Sequence, residues 1–150
     1  MPFDERTIIN TIAQYERGID GVKESYSFAQ NPDRINVLPC VLHYSPSFES
    51  DPRAHHNVWR NEIVVRSLLY VLPRQSAGGK LSFLENAAIP FGYKWRAQFQ
   101  TDSVVSAILS AAGAVRGFLK SGTYGAGGEE LTHGDIEMVG WVFSWQFINA

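Results

Sequence analysis

The chain has 150 residues, with 13 lysines and arginines against 15 aspartates and glutamates, for a formal net charge of -2. That length favours one domain and one main core over a multidomain enzyme, and 45% hydrophobic against 19% charged residues excludes a charge-rich disordered chain. Near-neutral charge supplies no global positive field for nonspecific nucleic-acid binding, and the single cysteine, Cys40, rules out an intrachain disulfide and cannot by itself build a structural zinc site.

The lone thiol points to a reducing compartment. No apolar run reaches the roughly eighteen residues of a membrane span, and Met1-Pro2-Phe3-Asp4-Glu5-Arg6 lacks the basic head and apolar run of a secretion signal. Neither a span nor an export leader is expected.

Ile8, Ile9, Ile12 and Tyr15 recur at offsets of three and four, with Glu5, Arg6, Gln14, Glu16 and Arg17 elsewhere on the wheel, which predicts an amphipathic helix over 4–17. Gly18 and Gly21 bracket the turn that stops it, and a short strand follows over 22–28. After Asn31-Pro32-Asp33, residues 37–44 read as extended, beginning at a sheet edge or at Pro39 itself because proline has no amide to donate. Serines, prolines, Asp51 and the adjacent His55 and His56 make 45–57 a surface loop. A long strand over 58–72 puts Trp59, Ile63, Val65, Leu69 and Val71 on one parity and Arg60, Glu62 and Arg66 on the other. Pro73 and residues 75–80 end it in a flexible loop.

Pro90 fits the first turn of a helix, and Phe91, Trp95 and Phe99 follow in four-residue steps along one face. Thr101-Asp102-Ser103 supplies capping chemistry for a second helix running to Gly113. Residues 115–119 enter a strand, the glycine-rich segment from Gly122 to Gly128 loops, and 136–148 return as a strand with Trp141, Phe143, Trp145 and Phe147 on one parity. Each of these aromatics removes roughly 150–250 Å² of surface from water on burial, so the row is the strongest core or interface signal in the chain. The order predicts a single α+β domain over 1–150: a mixed or largely antiparallel β-sheet, with the N-terminal helix and one or two further helices packed on one face.

Chemical constellations are weaker. His43, His55, His56 and His133 with Asp51, Asp135 and Glu137 offer metal-ligating atoms, but their spacing closes no known ligand signature. Cys40 sits among Leu38, Val41 and Leu42 and reads as a core thiol rather than a nucleophile. Gly78-Gly79-Lys80-Leu81-Ser82 departs from a phosphate loop, since Arg74 stands where its first glycine belongs and Leu81 replaces Ser or Thr. The bases Arg53, Arg60, Arg66, Arg74, Lys80, Lys94 and Arg96 are interspersed with acids and read as ordinary surface.

One resemblance is spread over about the whole chain. The N-terminal helix ending near Gly21, the Leu38-Pro39-Cys40-Val41 strand entry, the charged strand 58–72, the Phe91/Trp95/Phe99 helix and the closing Gly134-Asp135-Ile136-Glu137-Met138-Val139-Gly140 segment resemble, in their order, the tail-terminator or tail-completion proteins of long-tailed bacteriophages. The resemblance implies a structural virion protein without catalytic residues, cofactor or metal. It implies self-association into a ring, a hexamer, at the head-proximal end of the tail, assembled in the host cytoplasm. Its partners would be the tail-tube protein and head–tail connector proteins, with no membrane and no sequence-specific nucleic acid. On this reading loops 45–57, 73–80 and 120–134 make the contacts, and Arg60, Glu62, Arg66, Arg74, Lys80, Tyr124, Glu129 and Glu130 form the assembly surface. Ile8, Ile12, Trp59, Ile63, Val65, Phe91, Trp95, Phe99, Trp141, Phe143, Trp145 and Phe147 form the supporting core. The alternatives are another head–tail connector or neck protein, or a small metal-dependent enzyme or ligand-binding protein using the loop His, Asp and Glu residues.

Overall fold

Asp4 opens the first helix by accepting a hydrogen bond from the Thr7 amide at 2.7 Å, which satisfies one of the orphan donors of the first turn. The computed structural model describes residues 3–53 and 58–149. Helix α1 runs Glu5–Glu16 and buries Ile8, Ile9 and Ile12, as the apolar spacing requires. Strand β1 is only Glu24–Ser25; β2 is Cys40–Arg53, β3 Val58–Pro73, β4 Arg116–Ala126, β5 Thr132–His133 and β6 Ile136–Asn149. Helices α2 (Leu81–Ala88), α3 (Pro90–Phe99) and α4 (Asp102–Ala112) fill the connection between β3 and β4.

The sheet has the order β1-β2-β3-β6-β4, with β5 paired to β6. Among the described strands only β1 runs parallel to its neighbour, so the sheet is mixed and mostly antiparallel. The helices pack on one face of an α+β domain, as expected. On that face Trp95 stacks on Phe143 with centroids 4.6 Å apart, and Phe99 meets Trp145 edge-on at the same separation. Phe91, Trp95 and Phe99 therefore lock into the row of Phe143, Trp145 and Phe147, and Ile63 and Val65 are buried beneath. Trp141 is half-buried, its indole donating to the Ala88 carbonyl at 2.8 Å. Trp59 lies in β3 opposite Pro52, but its side chain falls outside the described residues, as do His55 and His56.

Several expectations of local structure need correction. Residues 45–53 are not loop: they continue β2, because β3 is long enough to satisfy their backbone. Pro46 is accommodated at a register shift between Tyr44 and Ser47. Most of the glycine-rich segment is strand β4, not loop. A Cβ at Gly122 would stand 2.8 Å from the Phe143 ring, so glycine there makes room for the aromatic row. Helix α2 occupies a stretch to which the sequence reading assigns no element; its Leu81 and Phe83 are exposed and blur the stripe. Thr101 precedes α4 without capping it, since its hydroxyl donates back to the Ala97 carbonyl at 3.0 Å, whereas Gly113 closes that helix at φ 67° as a left-handed cap.

Glu16 is the largest departure. Expected on the solvent side of α1, it is wholly buried. Its carboxylate accepts from the Trp95 indole at 3.1 Å and from the Ser25 hydroxyl at 3.1 Å, and it meets His43 Nε2 at 2.5 Å. His43, expected on an edge, is buried too, and its Nδ1 donates to the Tyr26 carbonyl at 2.7 Å. A carbonyl can only accept, so Nδ1 is the donor there and Nε2 is the ring nitrogen that faces the carboxylate. Replacing Glu16 by alanine leaves three buried polar partners, Trp95, Ser25 and His43, without their acceptor group and is expected to cost about 3–5 kcal/mol in urea unfolding. Gln14→Ala, on the exposed side of the same helix, should stay within about 0.5 kcal/mol; equal effects would remove Glu16 from its central place.

Candidate assembly surface

The sheet face opposite the helices divides in two. Toward one end Cys40, Leu42, Leu68, Tyr70, Leu131 and Met138 form a second core, covered by the segments 26–38 and 127–135. Those segments are pinned across the face, since His133 Nε2 lies 2.9 Å from the Asp33 carbonyl and the Tyr70 hydroxyl donates to the Glu130 carbonyl at 3.2 Å. Toward the other end the face is polar and open, with Arg60, Glu62 and Arg66 of β3 half-buried on it.

The predicted surface residues do not gather at one place. Arg66 and Glu130 meet: a guanidinium nitrogen donates to the carboxylate at 2.8 Å, and the Tyr44 hydroxyl donates to the same oxygen. Glu62 accepts from Gln146 across the β3–β6 pair. Arg74 pairs with Glu137 at 3.0 Å, at the far end of the sheet. Lys80 precedes α2 without a capping bond from its side chain, and Glu129 is exposed in the turn after β4. Tyr124 belongs to the helix face instead, half-buried with its ring edge-on to Trp141 at 6.0 Å. Its hydroxyl is driven up by burial and the Glu85 carboxylate.

Burial pulls the Glu130 carboxyl upward, but the hydrogen bonds from Tyr44 and Arg66 and the Arg66 charge outweigh it and hold the group below the usual carboxylate range. Burial, together with Glu24, pushes the Cys40 thiol up to about 12, which makes it a poor nucleophile and matches its reading as a core residue. Tyr70, buried and near Cys40, Tyr44 and Glu130, is also pushed up to about 12.

His43 and His133, the histidines among the described residues, do not converge. His43 lies under α1 on the helix face, and His133 lies edge-on to Tyr70 on the other. Among the described residues no group of three His, Cys, Asp or Glu side chains is placed to hold a metal ion. No helix among them is long and apolar enough to cross a membrane.

What the sequence reading passed over is the pair of open edges. Beyond Asn61, which pairs with Asn149 at the end of β6, the β2–β3 hairpin continues as a two-stranded arm. Residues 46–52 are all exposed, including Phe48 at 71%. Among the described residues, β2 is covered on its outer side only at Cys40 and Val41 by β1 and at His43 by the Asn31 amide. At the opposite edge of the sheet no described strand covers the outer side of β4, where Phe118 is 46% exposed. Uncovered edges of this length are sites at which chains add to one another. The signal available in the sequence was Phe48, a bare aromatic in a stretch otherwise polar enough to read as loop.

A scan against family models and a search of curated proteins both find no match for this chain.

Cys40 and Tyr70 favour their neutral forms in the folded state. Their contribution is therefore full below the ordinary thiol and phenol range and is lost as pH rises from about 9 through about 12. The urea midpoint should fall over that interval, and Tyr70→Phe should flatten part of the fall; a flat wild-type profile to pH 11 would contradict it. On the acid side Glu130→Gln should remove under about 1 kcal/mol, because the Arg66–Glu130 pair is more than one-third exposed.

Proposed function

We propose that this chain is a structural assembly subunit that closes into a ring, a hexamer, at the head-proximal end of a bacteriophage tail tube. There it ends tube polymerisation and offers the surface to which the head's connector proteins join. The observation that carries the reading is the pair of unlike, open edges on opposite sides of one rigid sheet: the outer side of β2 from Pro46 onward, and β4. Unlike edges on one subunit make a heterologous interface, which repeats from copy to copy and stops only when the rotation closes. The order of sequence patterns shared with tail-terminator proteins points the same way.

Rigidity is what the two cores supply. The aromatic layer on the helix face and the smaller core on the other clamp the central strands from both sides, so the edges keep a constant angle to one another. Constant angle is what separates a ring of defined size from a distribution of open chains. The open polar half of the sheet, with Arg60 and Glu62, is left for contacts above or below the ring, where the tail-tube protein and connector proteins would dock.

Native mass spectrometry and electron microscopy of the purified protein should reveal closed rings of one stoichiometry. Adding the protein to polymerising tail tubes should stop their growth. A chain that stays monomeric at high concentration, binds no tube and carries a metal in a common pocket would replace this reading with the enzymatic one.

A further inference from the structure

The pairing register of the sheet identifies which residues would meet when one copy follows another. Glu49 pairs with Glu62, Glu62 with Ile148, and Ile148 with Arg116, so Glu49 and Arg116 end one row across the sheet on the face away from the helices. The neighbouring row, on the helix face, runs from Phe48 through Ile63 and Phe147 to Gly117. Strands β2 and β4 run in opposite directions, because three antiparallel steps separate them. A rotation axis along the strands keeps rows level from one copy to the next. It therefore brings β2 of one copy antiparallel to β4 of its neighbour, with Glu49 facing Arg116 and Phe48 facing Gly117.

The chemistry agrees with that register on both faces. Glu49 meets a cation rather than an anion, and Asp51, two residues along on the same face, lies diagonal to the same Arg116. All three are exposed, and none takes part in a salt bridge among the described residues. On the other face Phe48 would sit beside a residue without a side chain, with Leu119 diagonal to it, and would extend the Ile63–Phe147 row into the next subunit. Pro46 and Pro52 bound the segment, since neither has an amide to donate, and leave 47–51 as the part of β2 that can pair.

We infer that a second copy of this chain docks by adding residues 47–51 of its β2 to the 114–118 edge at the start of β4, with Glu49 opposite Arg116 and Phe48 opposite Gly117. This rests on the ring reading above and supplies its interface. Phe48 is the apolar anchor and the Glu49–Arg116 contact sets the register; charge across an interface of this kind selects the partner and the alignment more than it adds affinity.

Oxidative cross-linking of a Glu49→Cys/Arg116→Cys variant tests it directly, because residues facing one another in neighbouring strands come within disulfide reach and the native Cys40 is buried. A ladder of linked copies is expected from this variant and none from Glu49→Cys/Lys120→Cys, which is out of register. Glu49→Arg and Arg116→Glu should each weaken self-association about tenfold or more, and the two together should restore it. Phe48→Ser should abolish association without lowering the unfolding midpoint of the isolated subunit. Rings that form with neither cross-link nor charge-swap rescue would overturn this interface while leaving the ring reading standing. Linked copies that grow as open chains and fail to stop tail tubes would uphold the interface and overturn that reading. A wild-type monomer at millimolar concentration with no cross-link would overturn the interface.

Discussion

Glu16 is the residue on which the helix face is assembled. Its carboxylate ends α1 and collects hydrogen bonds from α3 through Trp95, from β1 through Ser25 and from β2 through His43. A buried carboxylate is costly to desolvate unless its lone pairs are occupied, and here several donors from separate segments occupy them. The requirement works in both directions. The donors fix the carboxylate, and the carboxylate fixes where α1 and α3 cross the sheet and how the chain enters β2. Apolar packing alone tolerates small slips of a helix along a sheet, whereas this network is satisfied in one arrangement.

Outside that hub the aromatic layer fills space. Phe91, Trp95 and Phe99 interleave with Phe143, Trp145 and Phe147, and Gly117 and Gly122 on β4 make room for the rings of Phe147 and Phe143. The glycines that suggest a loop in one dimension are therefore the counterpart of large neighbours in three. The same trade shapes the edge. Glycine at 117 ends the row on the β4 side without a side chain of its own, under the Phe147 ring, while Phe48 at its other end is left bare on the β2 side. Hydrophobic surface left exposed on a rigid strand is costly for an isolated subunit and useful for one that meets another copy.

The Arg66–Glu130–Tyr44 cluster has a more local task. It ties the turn after β4 to the middle of the sheet and helps hold the segment that covers the second core. Two of the charges read from sequence as contact residues thus serve partly inside the subunit, and Arg74 with Glu137 does the same at the other end. Of the edge charges that form no salt bridge among the described residues, Glu49 and Arg116 were not among those that the sequence pattern singled out, and Asp51 stood there only as a possible metal ligand and loop residue.

Periodicity determined a good part of this protein by itself. The α1 stripe of Ile8, Ile9 and Ile12, the four-residue steps of Phe91, Trp95 and Phe99, the β3 parity of Ile63 and Val65 and the β6 parity of Phe143, Trp145 and Phe147 all follow from short-range geometry, and together they imply helices on one face of a mostly antiparallel sheet. Tertiary structure decided what depends on a distant partner. Residues 45–53 are strand only because β3 lies alongside them, Gly122 is strand only because Phe143 lies across from it, and Glu16 is buried only because Trp95, Ser25 and His43 arrive from elsewhere in the chain. The edges belong to the same class. Which strands end a sheet is set by the pairing order of segments far apart in sequence, and no local pattern carries that order.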